Sequence, residues 1–173
     1  WMQGVCAAFS PLMAKEANKP ALTVSLDSQD PARSVGVLES GETFSVGFGR
    51  DGFLPEGSTF VGGSSLLGDF FVNAILSPEH FEMTDRLVAS SGKSRTWLEE
   101  YLFANMSSID FDGDGKGGEY GKAFIGLEPV DSTIEQPFHF GEYKGVFRWY
   151  SYAIHGTQDE ARIGKCITGG CIN

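Results

Sequence analysis

The sequence predicts a mainly β fold, with sandwich-like antiparallel sheets, a short N-terminal helix and one short internal helix. Three observations predict it. Glycine is frequent at 23 residues and Phe at 14, against only 13 Lys plus Arg, which suits turns joining aromatic strands better than long charged helices. Several short runs alternate apolar and polar residues with a period of two, and clusters of Gly, Pro, Asp and Ser separate them. At 173 residues the chain can bury one core, and no Ser/Pro-rich linker or internal repeat divides it, so residues 1–173 are read as a single domain.

From Val5 to Lys19, the residues Val5, Ala8, Phe9, Leu12 and Met13 recur at helical spacing, with Ser10 and Pro11 as a later start, and Pro20 ends the pattern. Leu22, Val24 and Leu26 then alternate with Thr23 and Ser25, as in a half-buried strand. Further strands are expected at Ser34 to Leu38, Thr43 to Gly49, Ser58 to Val61, Asp69 to Leu76 and His80 to Ala89. Thr96 to Met106 is the internal helix, because Trp97, Leu98, Tyr101, Leu102 and Met106 share one side while Glu99 and Glu100 do not. Strands are expected again at Lys122 to Leu127, Gly145 to His155 and Ala161 to Thr168.

A formal charge of −10 argues against nucleic acid and anionic lipid as partners, since gripping phosphates needs clustered Lys and Arg. No membrane span is expected: the longest apolar-leaning segment, Leu66 to Leu76, is interrupted by Gly68, Asp69 and Asn73. Trp1 to Ser10 lacks the basic start of a signal peptide, so a targeting segment would have been removed or would lie outside this sequence. Of the three cysteines, Cys166 and Cys171 flank Ile167, Thr168, Gly169 and Gly170, a spacing that can close a small disulfide loop. Cys6 is then free, buried or paired with one of them. Asn105, Met106 and Ser107 also spell a glycosylation sequon, a pattern that arises often by chance.

The strongest local signal follows the internal helix. From Asp110 the chain reads Asp-Phe-Asp-Gly-Asp-Gly-Lys, which sets Asp110, Asp112 and Asp114 at the first, third and fifth positions and Gly115 at the sixth. Alternating carboxylates in a tight turn aim several oxygens at one centre, glycine permits the reversal, and Lys116 would offer its backbone carbonyl. This stretch resembles the front half of the short Asp-rich calcium loops of many extracellular β proteins. It departs from the EF-hand: the twelfth position is Gly121, and the nearby acid, Glu119, stands at the tenth. The resemblance implies Ca2+ held by Asp110, Asp112, Asp114, Lys116 and Glu119. The bland alternative is a solvated acidic turn.

Other constellations carry less. Gly47, Gly49 and Gly52 have dinucleotide-loop spacing, but Pro55 and Gly57 follow where a helix should start. Gly92, Lys93 and Ser94 resemble the end of a P-loop whose earlier glycine would fall at Leu87. His80, His139 and His155 are scattered, and Ser64 and Ser65 lack the flanks of a nucleophile elbow. A sugar-cleaving carboxylate pair could be drawn from Glu128, Asp131, Glu135 and Glu142, as from any acidic chain of this size. In the aromatic run around Phe147 and Trp149, Tyr150 and Tyr152 either line a buried central strand or expose a stacking platform for a ligand.

These features predict a calcium-stabilised, secreted or cell-surface module that binds or assembles, as an adhesin, a surface filament subunit or a ligand-binding surface protein does. Its partners would be a protein, a carbohydrate or copies of itself. The alternative is a secreted hydrolase acting on polysaccharide. Absence of a local catalytic motif tilts the balance away from an enzyme.

Overall fold

The computed structural model describes the backbone of residues 4–8, 20–59, 61–77, 80–105, 120–121, 123–130, 136–140, 143–147 and 152–173. In chain order the strands are β1 Gly4–Ala8, β2 Leu22–Leu26, β3 Val35–Leu38, β4 Thr43–Ser45, β5 Phe48–Gly49, β6 Phe53–Leu54 and β7 Ser65–Leu66. There follow β8 Phe70–Ser77, β9 His80–Met83, helices α1 Asp85–Ser91 and α2 Arg95–Asn105, β10 Phe124–Pro129, β11 Gln136–Phe140, β12 Tyr143–Phe147, β13 Ala153–His155 and β14 Cys166–Thr168. Strands in mainly antiparallel sheets, with two short helices, make up the described fold.

One four-stranded antiparallel sheet has the order β1-β2-β3-β4. Strand β2 turns Leu22, Val24 and Leu26 into the core and leaves Thr23 and Ser25 half-buried, as its alternation predicts. The expected N-terminal helix is not shown: Gly4–Ala8 is a strand paired antiparallel with β2, and the rest of the expected helix, with its later start at Ser10 and Pro11, lies outside the described residues. Val5, Ala8 and Phe9 fit helical spacing, but a five-residue run is too short for periodicity to decide, and pairing with β2 overrides it. The β2–β3 connection is an aspartate turn. Asp27 accepts hydrogen bonds from the amides of Asp30 and Gln29, which hold its carboxyl below the usual carboxylate range. Across β3 and β4 the Phe44 ring covers Gly36 so closely that a Cβ there would collide with it.

A second antiparallel sheet has the order β13-β10-β8-β9. Its register slips between Gly126 and Leu127, which face Ala74 and Val72, so Asn73 is an extra residue in β8. On one side of the slip, Ala74, Leu76, Met83, Phe124 and Ala153 form a cluster with Leu87 of α1 and Leu98 of α2. On the other, Phe70 and Leu127 share a second cluster with Leu22, Val24 and Leu26 of the first sheet, and with Val46, Phe48, Leu66, Tyr152 and Ile172.

The expected strand His80 to Ala89 ends early, at Met83. Thr84 takes the N-cap position and accepts from the Leu87 amide at 3.3 Å, and α1 runs to a left-handed Gly92. Ser94 Oγ likewise accepts from the Trp97 amide at 3.1 Å at the start of α2. Arg95 ties the pair back to the sheet, donating to the Met83 carbonyl at 2.6 Å and to Asp85 Oδ1 at 2.7 Å. No helix of the described residues is long and apolar enough to cross a membrane.

Two short parallel pairings, β5 with β14 and β6 with β7, bring glycine-rich segments together. Ser65 Oγ accepts from the Gly49 amide at 3.0 Å and donates to the Gly170 carbonyl at 2.8 Å. Gly63 donates to the Gly169 carbonyl at 2.7 Å and accepts from Asp51 at 2.8 Å. Residues 166–173 are thereby held on two sides, because Ile172 donates to Ala153 and its carbonyl accepts from His155, each at 3.0 Å. The expected strands at Ser58 to Val61 and Ala161 to Thr168 are corrected accordingly: Ser58, Thr59 and Val61 are outside any strand, with Phe60 not among the described residues, and the latter is a 3-10 turn at Glu160–Arg162 followed by β14.

Candidate functional site

The expected calcium residues Asp110, Asp112, Asp114, Lys116 and Glu119 lie outside the described residues, as does Tyr150. What the structure places is the pair of flanks between which residues 106–119 run. On the entry side, Leu98 of α2 is fully buried, and the Trp97 and Tyr101 rings stack at 4.6 Å against the same cluster. Lys93 Nζ caps the stack, 4.8 Å from the Trp97 ring. On the exit side, Tyr120 packs on that cluster too, edge-on to His155 at 4.4 Å and to Phe124 at 5.9 Å.

Gly121 has φ +61°, and a Cβ there would lie 2.7 Å from the Gly156 and Thr157 backbone. Only glycine fits so close an approach in that conformation. The Gly156 amide donates to the Ala123 carbonyl at 2.9 Å, which fixes the exit against the 156–157 turn. The acidic segment therefore leaves and rejoins the chain on one hydrophobic cluster.

His155 sits at the centre of the exit. Its Nδ1 lies 2.6 Å from the Gly156 carbonyl, which can only accept, so the proton of the neutral ring is on Nδ1. Burial among the rings holds its pKa down to about 4, with the Arg162 cation adding to the effect and the Gly156 hydrogen bond opposing it. The sequence carries no local sign of this role, because the neighbours of His155 in space, Tyr120 and Phe124, are distant in the chain.

The remaining candidates resolve into structural roles or fall outside the described residues. Tyr152, a bend residue just before β13, is only 7% exposed and packs on Phe70 at 5.8 Å; burial pushes its phenol pKa up. Glu128, 4% exposed, lies 3.0 Å from the Arg86 guanidinium, while Asp131, Glu135 and Glu142 are outside the described set. No disulfide is found among the described residues. Cys166 Sγ lies 2.7 Å from the Gly49 carbonyl beside one core cluster, and Cys171 packs against the other. Between them Thr168 Oγ1 donates to the Cys171 carbonyl at 2.6 Å and accepts from the Gly170 amide at 3.1 Å.

His80 is exposed beside Glu82 at 2.9 Å, and Ser65 serves the glycine lacing. The glycines at 47, 49 and 52 lead into β6 rather than a helix, and Gly92 to Ser94 link α1 to α2. Among the described residues no group of three or more His, Cys, Asp and Glu could hold a metal ion. A residue absent from the sequence-based set is Asn73: it is 1% exposed at the β8 irregularity, and neither its Nδ2 nor its Oδ1 has a hydrogen-bond partner. An amide inside the run Phe70 to Leu76 is the signal that marks it.

The chain matches no protein-family model, no curated protein and no solved structure.

Proposed function

We propose that this chain is a calcium-stabilised binding or assembly module of a secreted or cell-surface protein. The observation that carries the reading is the spacing of Asp110, Asp112 and Asp114 with Gly115, in a segment whose two flanks are seated on one core cluster. Three carboxylates so close repel one another, and a divalent cation offsets that repulsion with oxygen coordination. Rigid flanks lower the entropy lost when the loop closes on the ion. An ion bound by the folded state alone stabilises that state, so its role is to hold the loop in place.

In this reading the two four-stranded sheets pack as a sandwich, which the sharing of one cluster by Leu22, Val24, Leu26, Phe70 and Leu127 supports. A Cys166–Cys171 disulfide would close the C-terminal turn in an oxidising compartment. The partner is a protein, a carbohydrate or a second copy of the chain. The hydrolase alternative gains no specific support, since Glu128 is engaged by Arg86.

Calorimetric titration with calcium tests the reading. One site is expected in the wild type and none in Asp112→Ala; absence of binding heat and of any competition with a calcium dye in the wild type would overturn it.

A further inference from the structure

We infer that His155 is an acid-released latch: the neutral ring holds the edge strand β13 to the 120–121 turn, and protonation from solvent opens that edge while the first sheet stays folded. Geometry makes this edge the weak part of its sheet. Strand β13 is outermost and pairs with β10 through three residues, Phe124 with His155, Ile125 with Ile154 and Gly126 with Ala153. On its other side it has one bridge, Ile154 to Ile172. Local opening is expected where few backbone pairings must break.

The His155 ring adds what those pairings lack. It meets Tyr120 edge-on at 4.4 Å and lies parallel to Phe124 at 6.4 Å, and its Nδ1–H donates to Gly156, whose amide in turn holds Ala123. The groups around it disfavour a second proton. Arg162, on the 3-10 turn, is the cation acting on it; Tyr120 meets it through its ring. Strand β10 offers the apolar Phe124, the C-terminal segment offers the Ile172 carbonyl to the His155 amide, and Cys171 packs against the Phe124 cluster. No described carboxylate is among the groups shifting it.

With the folded value near 4 and the ordinary value at 6.5, the open form takes the proton first. The latch is therefore fully closed above pH 6.5 and weakens as the pH falls towards 4.

Hydrogen exchange of the intact chain, corrected for intrinsic rates, tests the inference without reference to calcium. Between pH 6.5 and 4.5, protection of the His155 and Gly156 amides should fall by about tenfold or more while that of β2 amides holds. His155→Phe should abolish the fall, and Arg162→Gln should make it smaller, because loss of that cation brings the folded value closer to 6.5. Unchanged protection in the wild type, an equal loss in β2, or a fall that persists in His155→Phe would overturn the latch. If His155→Phe does not fold, an undiminished fall in Arg162→Gln does the same.

Discussion

The two core clusters differ in what they bury. The cluster around Leu22, Val24, Leu26 and Phe48 is bordered by the glycine lacing, where Ser65 bonds on both sides and the C-terminal segment is paired on both edges, although Asn173 Oδ1 beside Gly47 is buried without a hydrogen bond. Polar residues that are costly to bury are concentrated in the second sheet: Asn73 of β8 leaves its amide without a hydrogen bond, Glu128 of β10 is a buried carboxylate and His155 of β13 is an imidazole held neutral, and the flanks of the acidic segment rest on the cluster this sheet forms with α1 and α2. Proteins concentrate such local conflicts where they bind or switch. The comparison teaches that the first region is scaffold and the second is where function should be sought.

The largest effect should come from breaking the scaffold. Phe48→Ala removes a fully buried ring and should cost about 3–5 kcal/mol in urea unfolding. Arg86→Ala removes the guanidinium 3.0 Å from the buried Glu128 carboxylate; because the Arg86 side chain is more than half exposed, solvent offsets part of the loss, and about 2 kcal/mol is expected. Asn73→Leu should act in the opposite direction: replacing an unpaired buried amide by an apolar group of similar size should raise stability by about 1 kcal/mol. A loss there instead would show that the amide is engaged by something it needs. The smallest change is Thr84→Ala, which deletes the α1 cap and should cost about 1 kcal/mol or less, read from the same unfolding curves.

Much of the β architecture was legible because period-two alternation at Leu22 to Leu26 and the apolar run at Asp69 to Leu76 are local signals. Trp97, Leu98 and Tyr101 marked α2 in the same way. Helix α1 was missed because Phe81 and Met83 continue a strand pattern up to Thr84, where a single capping hydroxyl switches the chain to helix. The aromatic run at Gly145 to His155 reads as one strand, yet it contributes β12 to one sheet and β13 to another, a division set by tertiary pairing. At the site, the aspartate spacing is written in sequence. The clasp of Tyr120, Gly121 and His155 is not, since residues far apart in the chain must meet before it exists.

The central claim is that an ion bound at Asp110, Asp112 and Asp114 stabilises this fold. Thermal unfolding of the wild type and of Asp112→Ala, each with excess calcium and with chelator, tests it most directly. The account predicts that calcium raises the wild-type Tm by several degrees, as about 2–3 kcal/mol of linkage at a hundredfold excess over Kd requires, and leaves the mutant unmoved. Identical wild-type curves with calcium and with chelator would contradict it.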